Sequence, residues 1–213
     1  MAAMTSIESV TLDVADLSAA ERFYTAAFGL GDDRLRLRAS DAATSGFRGF
    51  TLSLVVAQPA DVRALFDAAV QAGATQLKPV TKSLWGYGGV VQAPDGTVWK
   101  IATSAKKDSG PAARRIDSIV LLLGVADISA SKRFYVEHGL TVGKSFGPMY
   151  VEFAGDSNAV RLALYRRRAL AKDAGVAPEG DGSHRLAIGG TAGPFTDPDG
   201  FAWEASSTAV AAA

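Results

Sequence analysis

The sequence predicts an α+β fold built from two tandem, related modules. Residues 7–30 (IESVTLDVADLSAAERFYTAAFGL) and 116–140 (IDSIVLLLGVADISASKRFYVEHGL) begin alike, with an apolar segment, a V-A-D-[LI]-S step, a Phe-Tyr pair and a final Gly-Leu. The later segments 94–99 and 198–203 also match, because each contains Pro-Asp-Gly and then Trp. A matched start and a matched end in the same order indicate a duplicated unit. The chain has 213 residues, 48% of them hydrophobic, which suffices for buried cores.

Each unit opens with a strand and a helix. The first apolar segment of each copy is rich in Val, Ile and Leu, as a buried strand requires. Asp16 and Asp127 offer side-chain oxygens to the free amides of a following helix. Gly29 and Gly139 are placed to end those helices. The Pro-Asp-Gly steps predict turns between two strands, because Pro presets φ and Gly supplies a positive φ.

The remaining elements differ between the halves. In the first half, 52–56 predicts a strand and 61–73 an amphipathic helix. In the second half, 150–153 and 161–165 predict strands and 168–174 a short helix. The stretch 184–203 is too short for a strand, a full helix and two more strands, so we expect a helix to be lost there. We place a first module at 1–104, a polar linker containing Gly-Pro at 105–114, and a second module at 115–213.

Composition excludes several classes of function. The 22 basic and 22 acidic residues balance, so no electrostatic signature of nucleic-acid or anionic membrane binding is present. The absence of cysteine excludes thiolate nucleophiles and cysteine-based metal sites. No apolar run reaches the length of about 20 residues that a membrane span needs, and the start shows no secretory signal. We therefore expect a cytoplasmic monomer or homodimer whose partner is a small molecule.

Together these motifs resemble the vicinal oxygen chelate superfamily, which includes glyoxalase I, extradiol dioxygenases and bleomycin resistance proteins. The segment 197–204 (DPDGFAWE) matches the closing motif of that family best, and 93–100 (APDGTVWK) is a diverged copy. The resemblance covers the chain from Ile7 to Ser206. It implies βαβββ units that pair into curved mixed sheets, each forming a cup that encloses a pocket.

The resemblance also implies a divalent metal held by His and Glu from the opening and closing strands. The opening positions here are Ser9 and Ser118, and the first closing position is Lys100, a cation that would repel a metal. Glu204 stands at the second closing position, and His184 matches a strand where the family often has a His. Two ligands make half a site, so we expect neither a metal nor another cofactor.

Aromatic residues beside glycines predict the walls of a ligand pocket. Trp85 and Tyr87 lie in a Gly-rich segment before the first closing strand, where exposed backbone and flat rings suit stacking. Further candidates for ligand binding are Phe47, Arg48, Phe50, Phe146, Tyr150, His184 and Glu204.

These observations favour a metal-independent binding protein that sequesters an aromatic or antibiotic-like ligand, as a resistance protein does. The alternative is an enzyme of the same superfamily, a lyase, isomerase or dioxygenase using a residual site at His184 and Glu204. A protein with an empty cup and an interaction role is the third possibility, since fold does not decide function.

Overall fold

The computed structural model describes residues 7–31, 34–84, 86–155 and 160–205. Four helices are present in these ranges: α1 (Leu17–Phe28), α2 (Pro59–Gln71), α3 (Ile128–Glu137) and α4 (Arg167–Ala174). The strands of the first half are β1 (Ile7–Val14), β2 (Leu35–Ala39), β3 (Thr44–Gly46), β4 (Phe50–Val55), β5 (Thr75–Ser83), β6 (Gly86–Gln92) and β7 (Val98–Thr103). Those of the second half are β8 (Ser118–Val125), β9 (Val142–Ser145), β10 (Tyr150–Phe153), β11 (Arg161–Arg166), β12 (Gly180–Gly182), β13 (Leu186–Gly190), β14 (Phe195–Thr196) and β15 (Ala202–Ala205). The α+β prediction is confirmed.

The eight-stranded sheet has the order β5-β6-β7-β4-β8-β11-β10-β9. It contains two complete βαβββ units, β4-α2-β5-β6-β7 and β8-α3-β9-β10-β11, which meet through the antiparallel pair β4 and β8. In each unit the first and last strands are parallel neighbours, β4 with β7 and β8 with β11. The predicted curved mixed sheet of paired βαβββ units is therefore present.

The second sheet is smaller, with the order β14-β15-β13-β1-β2. Its central pair is β1 with β13, which are antiparallel and come from opposite ends of the chain. Each sheet thus contains strands from both halves of the sequence. The division into modules 1–104 and 115–213 stays a prediction. A two-stranded pairing of β3 with β12 also links the halves.

The helix starts follow the predicted capping. Asp16 accepts a hydrogen bond from the amide of Ala19 at 2.9 Å, and Asp127 accepts from the amides of Ser129 and Ala130. Gly29 ends α1 with φ of +65°, a left-handed conformation that costs glycine little. Helix α2 begins two residues before the expected Asp61, because Pro59 occupies its first turn.

The repeated aromatic residues form two equivalent buried contacts. In the first copy the Tyr24 hydroxyl donates to Asp95 at 2.8 Å and accepts from the indole N–H of Trp99 at 3.3 Å. In the second copy Tyr135 donates to Asp197 and accepts from Trp203. In each copy the Phe-Tyr helix is therefore hydrogen-bonded to the Pro-Asp-Gly segment and its Trp. This contact explains why the motifs occur together in the sequence.

The Gly-rich segment 86–89 forms the first part of strand β6. A Cβ at Gly89 would lie 2.7 Å from the ring of Phe66, so glycine at this position permits the close approach of helix α2. The regular elements within 184–203 are all strands, which agrees with the expectation that this stretch has lost a helix. None of the helices in the described ranges is long and apolar enough to cross a membrane.

Candidate functional site

One face of the eight-stranded sheet holds a pocket of about 700 Å³. Side chains alternate between the faces of a strand, so residues paired across the sheet share a face. One such transverse row consists of Lys78, Val90, Lys100, Ser53, Val120 and Arg161. Its first three members line the pocket. The volume lies within the range of about 300–1,000 Å³ that is common for small-molecule sites.

Three tyrosines from different strands line this pocket. Tyr87 comes from β6, Tyr150 from β10 and Tyr165 from β11. The rings of Tyr150 and Tyr165 are 6.1 Å apart at an interplanar angle of 73°, an edge-to-face arrangement. Apolar lining comes from Val55, Val90, Leu122 and Leu170. The wall therefore offers flat and apolar surface to a ligand.

The Tyr150 hydroxyl is held as a donor. It donates to the Glu152 carboxylate at 2.7 Å, and Arg161 donates to the other oxygen of the same carboxylate at 3.1 Å. Burial, followed by the hydrogen bond to Glu152, raises the pKa of Tyr150 well above its ordinary value. Tyr150 therefore stays neutral and acts in the wall as an aromatic surface.

Helix α4 crosses the pocket face of the sheet. Its apolar residues Leu170, Ala171 and Ala174 are buried, and it ends at Gly175 with φ of +79°. Two lysines of the sheet reach the C-terminal end of this helix. The Lys78 ammonium donates to the backbone oxygen of Lys172 at 2.6 Å, and the Lys100 ammonium contacts the Asp173 carboxylate at 2.7 Å. Cations are favourable there because the last carbonyls of a helix lack amide partners.

The residues at the expected metal positions do not fit a divalent metal. Lys100 is an ammonium already paired with Asp173, and Ser118 accepts a hydrogen bond from the Arg161 guanidinium at 2.9 Å. Ser9 is buried and paired in register with Gly189. Within the described ranges, no three or more His, Asp or Glu side chains are grouped so that they could hold a metal ion. A cation and hydroxyl groups stand in place of the His and Glu ligands that the resemblance implies.

His184 is fixed between backbone groups. Its Nδ1 lies 2.6 Å from the carbonyl oxygen of Arg48, and its Nε2 lies 3.1 Å from that of Asp199. The imidazole also stacks on the Phe201 ring at a centroid distance of 4.0 Å. Each ring nitrogen thus faces a carbonyl oxygen, so binding a metal at either nitrogen would require the ring to move.

Glu204 lies on the five-stranded sheet and binds Arg38. The Arg38 guanidinium contacts the Glu204 carboxylate at 2.7 Å and Asp13 at 2.7 Å. These hydrogen bonds, to Asp13 first and Glu204 second, raise the pKa of Arg38. Among the described residues no hydrogen bond or ion pair joins Glu204 to His184. A residual site at His184 and Glu204 stays a hypothesis.

Phe47, Arg48 and Phe50 line a second pocket of about 260 Å³. Both phenylalanine rings are almost wholly buried, and the Arg167 guanidinium lies 5.4 Å from the Phe47 ring centroid. Arg48 donates to the backbone oxygen of Asp95, and burial lowers the pKa of Arg48. These three residues thus line a different pocket from the tyrosines, although Phe47 packs in one apolar cluster with Leu122, Tyr165 and Leu170 of the tyrosine-lined pocket.

The remaining predicted wall residues have separate placements. Tyr87 and Tyr150 line the larger pocket, and their role in ligand binding stays a prediction. Phe146 is 61% exposed and does not line either pocket, although its ring lies 6.0 Å from that of Tyr150. Trp85 lies outside the described residues.

The lining residues that sequence reasoning missed include Tyr165, Lys78 and Asp173. A signal for Tyr165 was available. Alternation along β11 places it on the face of Ala163 and Arg161, opposite the buried Leu162 and Leu164. Lys78 and Asp173 carried no such signal, because their roles depend on where α4 lies.

No family model and no curated protein matches this sequence. Solved structures do match. The crystal structure of glyoxalase I from Zea mays is 16% identical with a TM-score of 0.63, and the match covers 94% of this chain and 92% of that one. A protein from Bacillus subtilis subsp. subtilis str. 168 with a provisional dioxygenase assignment is 11% identical with a TM-score of 0.55, covering 87% and 70%. At such identities the likeness establishes the fold. The resemblance inferred from the motifs is confirmed at the level of the fold: this chain has the fold seen in glyoxalase I.

Proposed function

We propose that this protein is a metal-independent binding protein that reversibly binds a planar aromatic small molecule in the tyrosine-lined pocket. The observation that carries the proposal is the pocket itself: about 700 Å³, with Tyr87, Tyr150 and Tyr165 in its lining. Lys100, in the position where the resemblance implies a metal ligand, is paired with Asp173 instead.

Binding without chemistry needs shape and stacking but no activated nucleophile. Edge and face contacts with aromatic rings add about 0.5–1.5 kcal/mol beyond the burial of area. None of the described lining residues is a His or a Cys, the usual bases and nucleophiles of neutral pH. These features support sequestration, including the sequestration of an antibiotic-like molecule.

Trp85 is proposed as a further wall residue. It directly precedes Gly86, which lines the pocket. The proposal rests on this position in the sequence and on the suitability of an indole for stacking.

The test is native mass spectrometry of protein purified without a His tag, screened against a library of planar aromatic compounds. We expect a one-to-one complex whose ligand is recovered unaltered. Tyr165→Ala should weaken binding about tenfold to a hundredfold, since a lost aromatic contact costs about 1–3 kcal/mol. Tyr87→Ala should act in the same direction.

Phe146→Ala is the matched control, because this exposed aromatic residue lies outside the pocket lining. Its affinity should equal that of the parent protein. Unchanged affinity in Tyr165→Ala, with the fold intact by circular dichroism, would contradict the proposed site. Recovery of a chemically altered ligand would replace sequestration with the enzymatic alternative.

A further inference from the structure

The charges of the tyrosine-lined pocket do not cancel. Its charged lining residues are Lys78, Lys100 and Asp173, two cations and one anion. Asp173 is 2.7 Å from Lys100, so those two charges compensate each other. Lys78 has no carboxylate partner among the described residues, and its one hydrogen bond goes to a backbone oxygen of α4. The pocket therefore carries a surplus positive charge at Lys78.

The Lys78 ammonium retains capacity to bind a ligand. An ammonium has three donors, and the contact with Lys172 uses one of them. The lysine is half-buried, and its contact with Lys172 is open to solvent, so a ligand in the pocket can reach its ammonium and strengthen the ion pair by excluding water. A cleft with a surplus of one sign attracts the opposite charge.

We infer that the pocket selects aromatic small molecules bearing one negative group, such as a carboxylate or a sulfonate, and that Lys78 recognises that group. The inference rests on the proposed function, because it names the class of ligand for the same pocket. The tyrosines supply the contacts for the ring, and Lys78 supplies the contact for the anion.

Asp173 acts as an internal competitor for the anionic group. Its carboxylate occupies Lys100, which would otherwise offer a second ammonium to the ligand. Because Asp173 belongs to α4, this helix determines how many cations the pocket presents. Removing the Asp173 charge should therefore favour anionic ligands and leave neutral ones unaffected.

The experiment compares two fluorescent probes with the same rings, anilinonaphthalene sulfonate and its sulfonate-free parent anilinonaphthalene. We expect the parent protein to bind the sulfonate about tenfold more tightly, as a partly desolvated charge-assisted contact provides. Lys78→Met should remove most of this preference, and Asp173→Asn should increase it severalfold. Lys132→Met is the control, since Lys132 belongs to α3, which packs on the opposite face of the sheet.

The outcomes distinguish an error in the anionic ligand class from an error in the aromatic pocket. If both probes bind, lose affinity in Tyr165→Ala and show no preference that depends on Lys78, the anionic class is wrong and the aromatic pocket remains. If Asp173→Asn changes the affinity for both probes equally, α4 acts through packing and the competitor role is wrong. If neither probe binds, the proposed function and this inference are both overturned.

Discussion

Tyr135→Phe tests whether the repeated Tyr–Asp–Trp contact stabilises the fold. The substitution keeps the ring and removes only the hydroxyl oxygen. That oxygen is within 2.5 Å of Asp197 and accepts from the Trp203 indole at 3.3 Å. All three residues are at most 5% exposed, so water cannot replace the lost partner.

The expected loss follows from the groups left behind. The Trp203 N–H would be buried without an acceptor, which costs about 1–3 kcal/mol. Asp197 would lose one donor but would keep the amides of Asp199 and Phe201 at 3.0 and 2.8 Å. We therefore expect the free energy of unfolding to fall by about 2 kcal/mol. With a urea m-value of about 2 kcal/mol/M, the midpoint would move by about 1 M.

The assay is urea unfolding followed by circular dichroism, with two comparison variants. Tyr24→Phe should cost a similar amount, about 2 kcal/mol, because the Trp99 indole N–H would likewise be buried without an acceptor. Tyr165→Phe should change stability by less than about 0.5 kcal/mol, since its hydroxyl makes no hydrogen bond within the described ranges. Equal losses in Tyr135→Phe and Tyr165→Phe would refute the reasoning.

Three further predictions concern the metal, a helix cap and pH. Dialysis against a chelator should leave the affinity for an aromatic ligand unchanged, because Lys100 is paired with Asp173; a loss of affinity that zinc or nickel restores would contradict this. Asp16→Ala should lower the free energy of unfolding by about 1 kcal/mol through loss of the α1 cap, and Asp16→Asn should recover most of it, as urea unfolding of both variants would establish. Burial raises the pKa of Asp197 above 3.8, so the folded state binds the proton more tightly than the unfolded state. The stability of the parent relative to Asp197→Asn should consequently fall as the pH rises from about 4 through the raised pKa; a difference that grows with pH in parallel unfolding curves would reverse the sign.

The sequence predicted two aromatic residues of the pocket wall but not its electrostatics. Tyr87 and Tyr150 could be named because aromatic residues near glycines and on short strands are readable patterns. Phe47 and Phe50 follow the same pattern but are committed largely to the core beside another pocket. The exposure of an aromatic ring depends on the helices and strands that pack over it. Those elements can be distant from the ring in the sequence.

Helix α4 illustrates this limit. The short helix predicted at 168–174 is close to the observed range Arg167–Ala174, but its place on the sheet was not predicted. Only that placement brings Asp173 to Lys100 and the last carbonyls to Lys78. Lys and Asp are usually exposed surface residues, so the sequence alone gives no reason to place these side chains in a pocket.

The amino-acid sequence by itself determined the repeated strand–helix starts, their Asp caps, the Pro-Asp-Gly turns and the α+β class. These depend on contacts within a few residues, for which local conformational preference is decisive. Tertiary structure alone decided that β1 pairs with β13 across the length of the chain, and that β4 and β8 form the centre of the larger sheet. Strand partners are selected by the burial of a shared core, and many apolar strands of similar composition compete for each position. The pocket and its surplus charge follow from that selection.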